Sequence, residues 1–270
     1  MNADSATIAE GNVLLTIEDR VAHIRLNRPD AANGMSVELL RDFYDAVMAV
    51  HEADDVRAVL ITGAGRNFCA GGDIRAFHSK GKDLPAYIRK ATAYLQDAMQ
   101  SLMRLDAPVI AAVQGYATGG GGFGMVCAVD LVVAAENAKF LAGATKVGMA
   151  PDAGTTATLP AIVGQRRATE ILLLNPTMTA AEAHDLGIVN RVVPEAELFD
   201  AAMAMAKELA AGPPLAQAAV KREIRNHAKL PVEAVFTEEA RTVAELSGTD
   251  DALEGLASMI ERRPAKFTGR

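Results

Sequence analysis

Val109-Ile110-Ala111-Ala112-Val113-Gln114-Gly115-Tyr116-Ala117-Thr118-Gly119-Gly120-Gly121-Gly122 reads as a buried strand running into a glycine loop. From Ala107 to Val129 no residue is charged over 23 positions, a length that could cross a bilayer. That stretch holds six glycines and Gln114, and each glycine costs about 1 kcal/mol in a helix interior. A strand, a glycine turn and a buried helix therefore fit better than one membrane span. A second unit has the same form: Val59-Leu60-Ile61-Thr62-Gly63-Ala64-Gly65-Arg66-Asn67-Phe68-Cys69-Ala70-Gly71-Gly72-Asp73. Repeated strand–loop–helix units favour a parallel sheet with right-handed crossovers. Both loops then open at one edge, beyond the strands' carboxyl ends, where ligands bind.

Outward from these units the pattern continues. Val13 to Ile17 and Val21 to Leu26 flank Glu18-Asp19-Arg20 and predict an antiparallel hairpin, which Pro29 stops. Ser36 is placed to cap a helix with Leu40, Phe43, Val47 and Val50 on one face. Val56 to Thr62 predicts a buried strand, and a second helix carries Ile88, Ala91, Leu95, Met99 and Leu102. A further strand runs from Leu131 to Ala134. Beyond about residue 160 the pattern is nearly all helical. Thr179-x-x-Glu182 forms a capping box, Gly187 ends that helix, and Gly212-Pro213-Pro214 separates two more. The tail predicts two amphipathic helices, one with Val232, Phe236, Ala240 and Val243 on a face, the next with Leu253, Leu256 and Ile260. The organisation expected is an α/β core over 1–195 and a helical C-terminal region over 196–270.

Composition narrows the function. The chain has 270 residues, half of them hydrophobic, and a net charge of −7. That acidic balance argues against a nucleic-acid binder, which needs clustered Lys and Arg. Two cysteines cannot build a disulfide framework or a four-cysteine zinc site, and free thiols fit a reducing cytoplasm. The five histidines are scattered without metal-ligand spacing, so no metal is expected. Met1 to Gly11 has no basic n-region of a secretory signal. Gly63-Ala64-Gly65-Arg66-Asn67-Phe68 fails as a dinucleotide fingerprint, since Phe68 stands where the third glycine belongs. Phe123-Gly124 follows the glycine run, so it is not a phosphate-binding loop ending in lysine either. What two facing glycine loops can do is aim bare N–H groups at one point. A helix beginning after Gly122 would add its positive end. Two such donors make an oxyanion hole.

Leu26-Asn27-Arg28-Pro29 with Asn33, Phe68 to Asp73, Gly115-Tyr116-Ala117 with the glycine run and Asp130, Lys139-Phe140, Pro151-Asp152-Ala153-Gly154-Thr155, Ala180 to Ala183 with Leu186 to Val189, and Pro264-x-x-Phe267-x-Gly269-Arg270 occur in that order. On these motifs, which run from Leu26 to the C-terminus, the chain resembles the enoyl-CoA hydratase/isomerase (crotonase) superfamily. The resemblance implies a crotonase-like spiral of ββα units with a helical C-terminal trimerisation region. It implies a coenzyme A thioester as substrate, with no separate cofactor, and a homotrimer or dimer of trimers. It puts the thioester oxygen between the N–H of Gly72 and that of Gly120 or Gly121. The second donor stays open because the stretch from Tyr116 to Asp130 is one residue longer than in typical members. It also implies coenzyme contacts at Arg28, Ala70, Gly72, Asp73 and Ile74, with Lys266 and Phe267 reaching a neighbouring subunit's coenzyme.

Typical hydratases of this family use two glutamates. The matching positions here are Phe123 or Gly124, and Ala144, none able to carry a proton. Asp152 matches the position at which the family's isomerases place their acid/base. One carboxylate can take a proton from one carbon and return it two carbons away. The expected activity is thus double-bond isomerisation through Asp152. The alternatives are a 2-enoyl-CoA hydratase, a non-catalytic acyl-CoA-binding homologue, dehalogenation with Asp152 as nucleophile, or Asp152 as a plain helix cap.

Overall fold

The computed structural model describes residues 7–228 and 230–270. β1 (Val13–Glu18) and β2 (Val21–Leu26) pair antiparallel, Val13 opposite Leu26. Their two-residue turn puts Asp19 and Arg20 at φ 51° and 66°, the twist that suits a tight hairpin. α1 (Val37–Glu52) begins where the Ser36 hydroxyl accepts the Leu39 N–H. It buries Leu40, Phe43, Val47 and Val50, the face its spacing predicts.

β3 (Ala58–Gly63) lies parallel to β2. The short α2 (Ile74–Ser79) and the long α3 (Leu84–Arg104) follow. β4 (Val109–Val113) returns beside β3. β5 (Tyr116–Thr118) leads to the glycine turn and α4 (Met125–Ala128), and β6 (Leu131–Ala135) joins β4 in parallel. β7 (Lys139–Leu141), α5 (Thr155–Val163), α6 (Gln165–Leu174), β8 (Met178–Thr179), α7 (Ala180–Asp185) and β9 (Arg191–Val193) complete this part. The main sheet runs β1-β2-β3-β4-β6-β9, and β5-β7-β8 form a second, small one. β8 and β9 lie where the sequence reads as helical. At two and three residues they are too short to show a period.

Both faces of the main sheet are covered, which is why its parallel strands are apolar throughout. On one face α1 and α3 close a core around Phe43, Phe68, Phe123 and Phe140, all fully buried. On the other face α8 (Leu198–Ala211) lays Leu198, Ala202, Ala206 and Ala210 on Leu60, Ile110 and Val133. α9 (Pro214–His227) is tied down through Asp130, whose carboxylate meets Lys221 and Arg225, each at 2.8 Å. α10 (Val232–Ser247) and α11 (Asp250–Glu261) form as their periodicity predicts. Their apolar faces, however, stay uncovered within one chain: Val232, Phe236, Val243, Leu253 and Leu256 are exposed, and Ile260 is 83% exposed. The tail beyond α11 is pinned by two buried groups, Arg57 just ahead of β3 and Asp251 in the first turn of α11. Arg57 donates to the Phe267 and Thr268 carbonyls, and Asp251 accepts from the Thr268 and Gly269 N–H groups. No helix among the described residues is long and apolar enough to cross a membrane.

Candidate active site

The loop after β3 is shaped by a polar side chain buried beneath it. Asn33, fully buried, points its amide nitrogen at the carbonyls of Ala64, Asn67 and Phe68 within 3.0 Å. Its oxygen accepts the Arg28 N–H. The Cys69 N–H donates to Tyr116, the Thr118 N–H donates back to Cys69, and the Thr118 hydroxyl donates to the Ala70 carbonyl at 2.5 Å. The loop after β3 is thereby stitched to β5, the strand that feeds the glycine run. Gly119 lies so close that a Cβ built on it would sit 3.2 Å from Gly71 Cα and 3.7 Å from the Gly72 nitrogen. Met35 donates its N–H to Gly71, while no protein acceptor among the described residues takes the Gly72 N–H.

The glycine run does not wait until Gly122 to become helical. Gly120 to Gly124 form one π-helical turn that opens into α4. A π turn closes from i to i+5 and is wider than an α turn, taking up one residue more. Gly120 and Gly121 thus stand in a helix's first turn, where N–H groups have no carbonyl behind them.

A cavity of about 550 Å³ lies between these loops, α2, α3 and the 141–152 segment. Its wall is mostly apolar, with Met35, Leu40, Phe77, Ile88, Leu95 and Met149 prominent. Among the described residues Asp152 is its one acidic and Lys146 its one basic lining residue. The Asp152 carboxyl presses on Gly120: a Cβ built there would be 1.7 Å from Oδ1. Burial raises the pKa of this carboxyl above its ordinary value, its own backbone N–H acting in the opposite sense.

The structure gathers Ala70, Gly72, Ile74, Gly120, Gly121 and Asp152 around this one cavity. Asp73 stands beside it, accepting the Ala76 N–H as the cap of α2. Arg28 reaches the Gly34 carbonyl at 2.6 Å and Asp73 at 3.3 Å, so both brace the loop. Lys266 and Phe267 lie apart from the cavity, against Glu254 and Arg57. Of the positions matched to the hydratase glutamates, Ala144 lines the cavity and Phe123 is buried in the core. Cys69 is a packing residue: its thiol, pushed up to about 12 by burial, donates to the Asn33 carbonyl. No cluster of His, Cys, Asp and Glu among the described residues could hold a metal. Sequence reasoning did not single out Phe77 or Met35. Their only signal is position, Phe77 one helical turn past the Asp73 cap and Met35 beside the Asn33 clamp.

Residues 16–270 match the family model described as enoyl-CoA hydratase/isomerase. The chain belongs to the enoyl-CoA hydratase/isomerase family. A solved structure of an enoyl-CoA hydratase from Bacillus anthracis superposes with a TM-score of 0.90 at 31% identity, covering 96% of this chain and all of that one. A 1,2-epoxyphenylacetyl-CoA isomerase of Escherichia coli is 32% identical, over 96% of this chain and 98% of its own length. A 4-chlorobenzoyl coenzyme A dehalogenase of an Arthrobacter species is 36% identical over 88% of this chain and 87% of its own length. This is an acyl-CoA enzyme of crotonase fold, and its relatives carry three different chemistries.

Proposed function

We propose that this enzyme moves a carbon–carbon double bond within an enoyl-CoA thioester, with Asp152 as the single acid/base. One observation carries the reading: the cavity wall holds one carboxyl group, pressed against Gly120 and lifted in pKa by burial. The Asp152 carboxylate takes a proton from the carbon beside the thioester carbonyl. The C–H electron pair moves into a dienolate, and negative charge collects on the thioester oxygen. The N–H groups of Gly72 and Gly120 stabilise that oxygen, and one such donor is worth roughly 3 kcal/mol. We assign Gly120 rather than Gly121 because Gly119 packs against the Gly72 nitrogen, bringing the next amide beside it. The protonated Asp152 then returns the proton two carbons further on. A carboxyl of raised pKa suits both halves of this exchange.

Coenzyme A enters as part of the substrate, and no separate cofactor takes part. The uncovered apolar faces of α10 and α11 support assembly with further copies of the chain, as a homotrimer or a dimer of trimers. In such an assembly Lys266 and Phe267 serve a neighbour's coenzyme.

A hydratase would need a second proton carrier, and Ala144 in the cavity wall supplies none. A dehalogenase with Asp152 as nucleophile would need a base to activate water against the aryl ester, and no histidine among the described residues lines the cavity. The deciding assay offers a 3-enoyl-CoA, a 2-enoyl-CoA and 4-chlorobenzoyl-CoA to the protein and to Asp152→Asn. Isomerisation of the first, lost in the variant, is expected. Hydration of the second that survives in Asp152→Asn, or chloride release from the third, would replace this reading. Thioester binding with no turnover at all would make the protein a carrier.

A further inference from the structure

No side chain among the described residues holds the Asp152 carboxyl, so what aims it is the turn it stands on. The Asp152 carbonyl accepts two hydrogen bonds from Thr155, from the N–H at 3.0 Å and from the hydroxyl at 2.7 Å. Between them Ala153 is left-handed, at φ 52°, and Gly154 follows at φ 73°. A left-handed alanine is strained and persists only where its surroundings over-determine it. Here they do. Ala153 is 2% exposed and Thr155 3%, and the π turn closes on them from the other side. A Cβ built on Gly124 would lie 2.7 Å from the Thr155 hydroxyl and 2.9 Å from Ala153 Cβ, as one on Gly120 would meet the Asp152 carboxyl. Gly120 and Gly124 are one helical turn apart and share a face. The wide turn therefore offers a bare glycine strip, with the carboxyl seated at one end and the Thr155 hydroxyl at the other.

We infer that Thr155 is a positioning residue for Asp152: its hydroxyl locks the Asp152 backbone and so keeps the carboxyl laid along the glycine strip into the cavity. The inference rests on the reading of Asp152 as the acid/base. Without the hydroxyl only the Thr155 N–H still holds the Asp152 carbonyl, the strained turn at Ala153 is loosened, and the carboxyl shifts with it. A misplacement of about 1 Å costs on the order of a hundredfold in rate. The plainer role for this hydroxyl is to steady the start of α5, whose first residue is Thr155. The two roles separate on a second readout. Lys146 is the other charged residue lining the cavity among those described, and burial is what raises the Asp152 carboxyl, its own N–H acting against it. The acid limb of the pH–rate profile therefore reports how buried the carboxyl is, and helix stability does not move it.

The experiment compares full-length Thr155→Val, Thr155→Ala and Thr155→Ser with the parent on a 3-enoyl-CoA across pH, beside Asp152→Asn. For Val and Ala, kcat falls by about ten- to a hundredfold with KM nearly unchanged, and the acid limb moves to lower pH. Ser restores both. A kcat within about threefold of the parent in Val or Ala, a loss with the acid limb unmoved, or a Ser variant as poor as Val overturns the inference. Asp152→Asn as active as the parent would instead remove the reading beneath it. Thr155→Ala only deletes atoms, so it carries the test if Val does not fold.

Discussion

Gly120→Ala should abolish most of the activity without weakening the fold. A Cβ at this position would stand 1.7 Å from Asp152 Oδ1, 2.6 Å from its Cγ and 3.2 Å from Oδ2. Real contacts of this kind stay beyond 3.0 Å, so the carboxyl must retreat by at least about 1.3 Å. The carboxyl is the end of a side chain beside the cavity, so it yields before the backbone does. A shift of that size corresponds to a loss on the order of a hundredfold in kcat. Stability should hold or rise, since alanine is worth up to about 1 kcal/mol over glycine in a helix and Gly120 is not among the residues of positive φ. The assay is steady-state isomerisation of a 3-enoyl-CoA, paired with thermal unfolding. A variant that folds as well as the parent and keeps kcat within about threefold would refute the placement of Asp152 as the proton carrier.

Asp152→Asn should lose about 10²–10⁴-fold in rate yet be at least as heat-stable as the parent at neutral pH. The native carboxyl pKa lies above its reference of 3.8, so ionisation weakens the native state as pH rises through the native value. The stability difference from Asn should therefore close as pH falls below about 4, the ordinary carboxylate range, and thermal melts across pH check this. Asn33→Ala strands the buried carbonyls of Ala64 and Phe68 and the half-buried one of Asn67 under the Gly72 loop and should cost about 1–3 kcal/mol, with kcat falling too, read by urea unfolding and by rate. Asp130→Ala leaves Lys221 and Arg225 without their shared partner and the Val109 N–H without its acceptor. These groups are half-buried, so it should destabilise by about 1–3 kcal/mol, seen as a lower unfolding midpoint. Gly124→Glu should cost about 1–3 kcal/mol through overpacking against Thr155 and Ala153 and bring no hydration of a 2-enoyl-CoA, checked by melting and by absorbance of the enoyl thioester.

The parts of the fold that rest on neighbours in sequence were legible there. The hairpin, the Ser36 cap, the apolar strands ending at Gly63 and before Gln114, and the Thr179–Glu182 capping box are set by local periodicity and local hydrogen bonds. The helices α10 and α11 could be read from their stripes. Their stripes could not say what covers them, because nothing among the described residues of one chain does. β8 and β9 escaped because so few residues carry no pattern, and they exist by pairing with strands far away in the chain.

The candidate site divides in the same way. The residues themselves established that two glycine loops follow two strands; the resemblance to the family matched the two hydratase glutamates to positions without a carboxylate and pointed to Asp152 as the remaining acid. The residue types determine this much, since a side chain without an ionisable group moves no proton wherever it is placed. Only the tertiary structure decided that Gly120 and Gly124 form one bare strip under the Asp152–Thr155 turn, that the carboxyl is buried against it, and that Arg28 and Asp73 face each other. Those relations join segments distant along the chain through packing and a π turn, and distance in space, which governs both burial and reach, is not written in the order of residues.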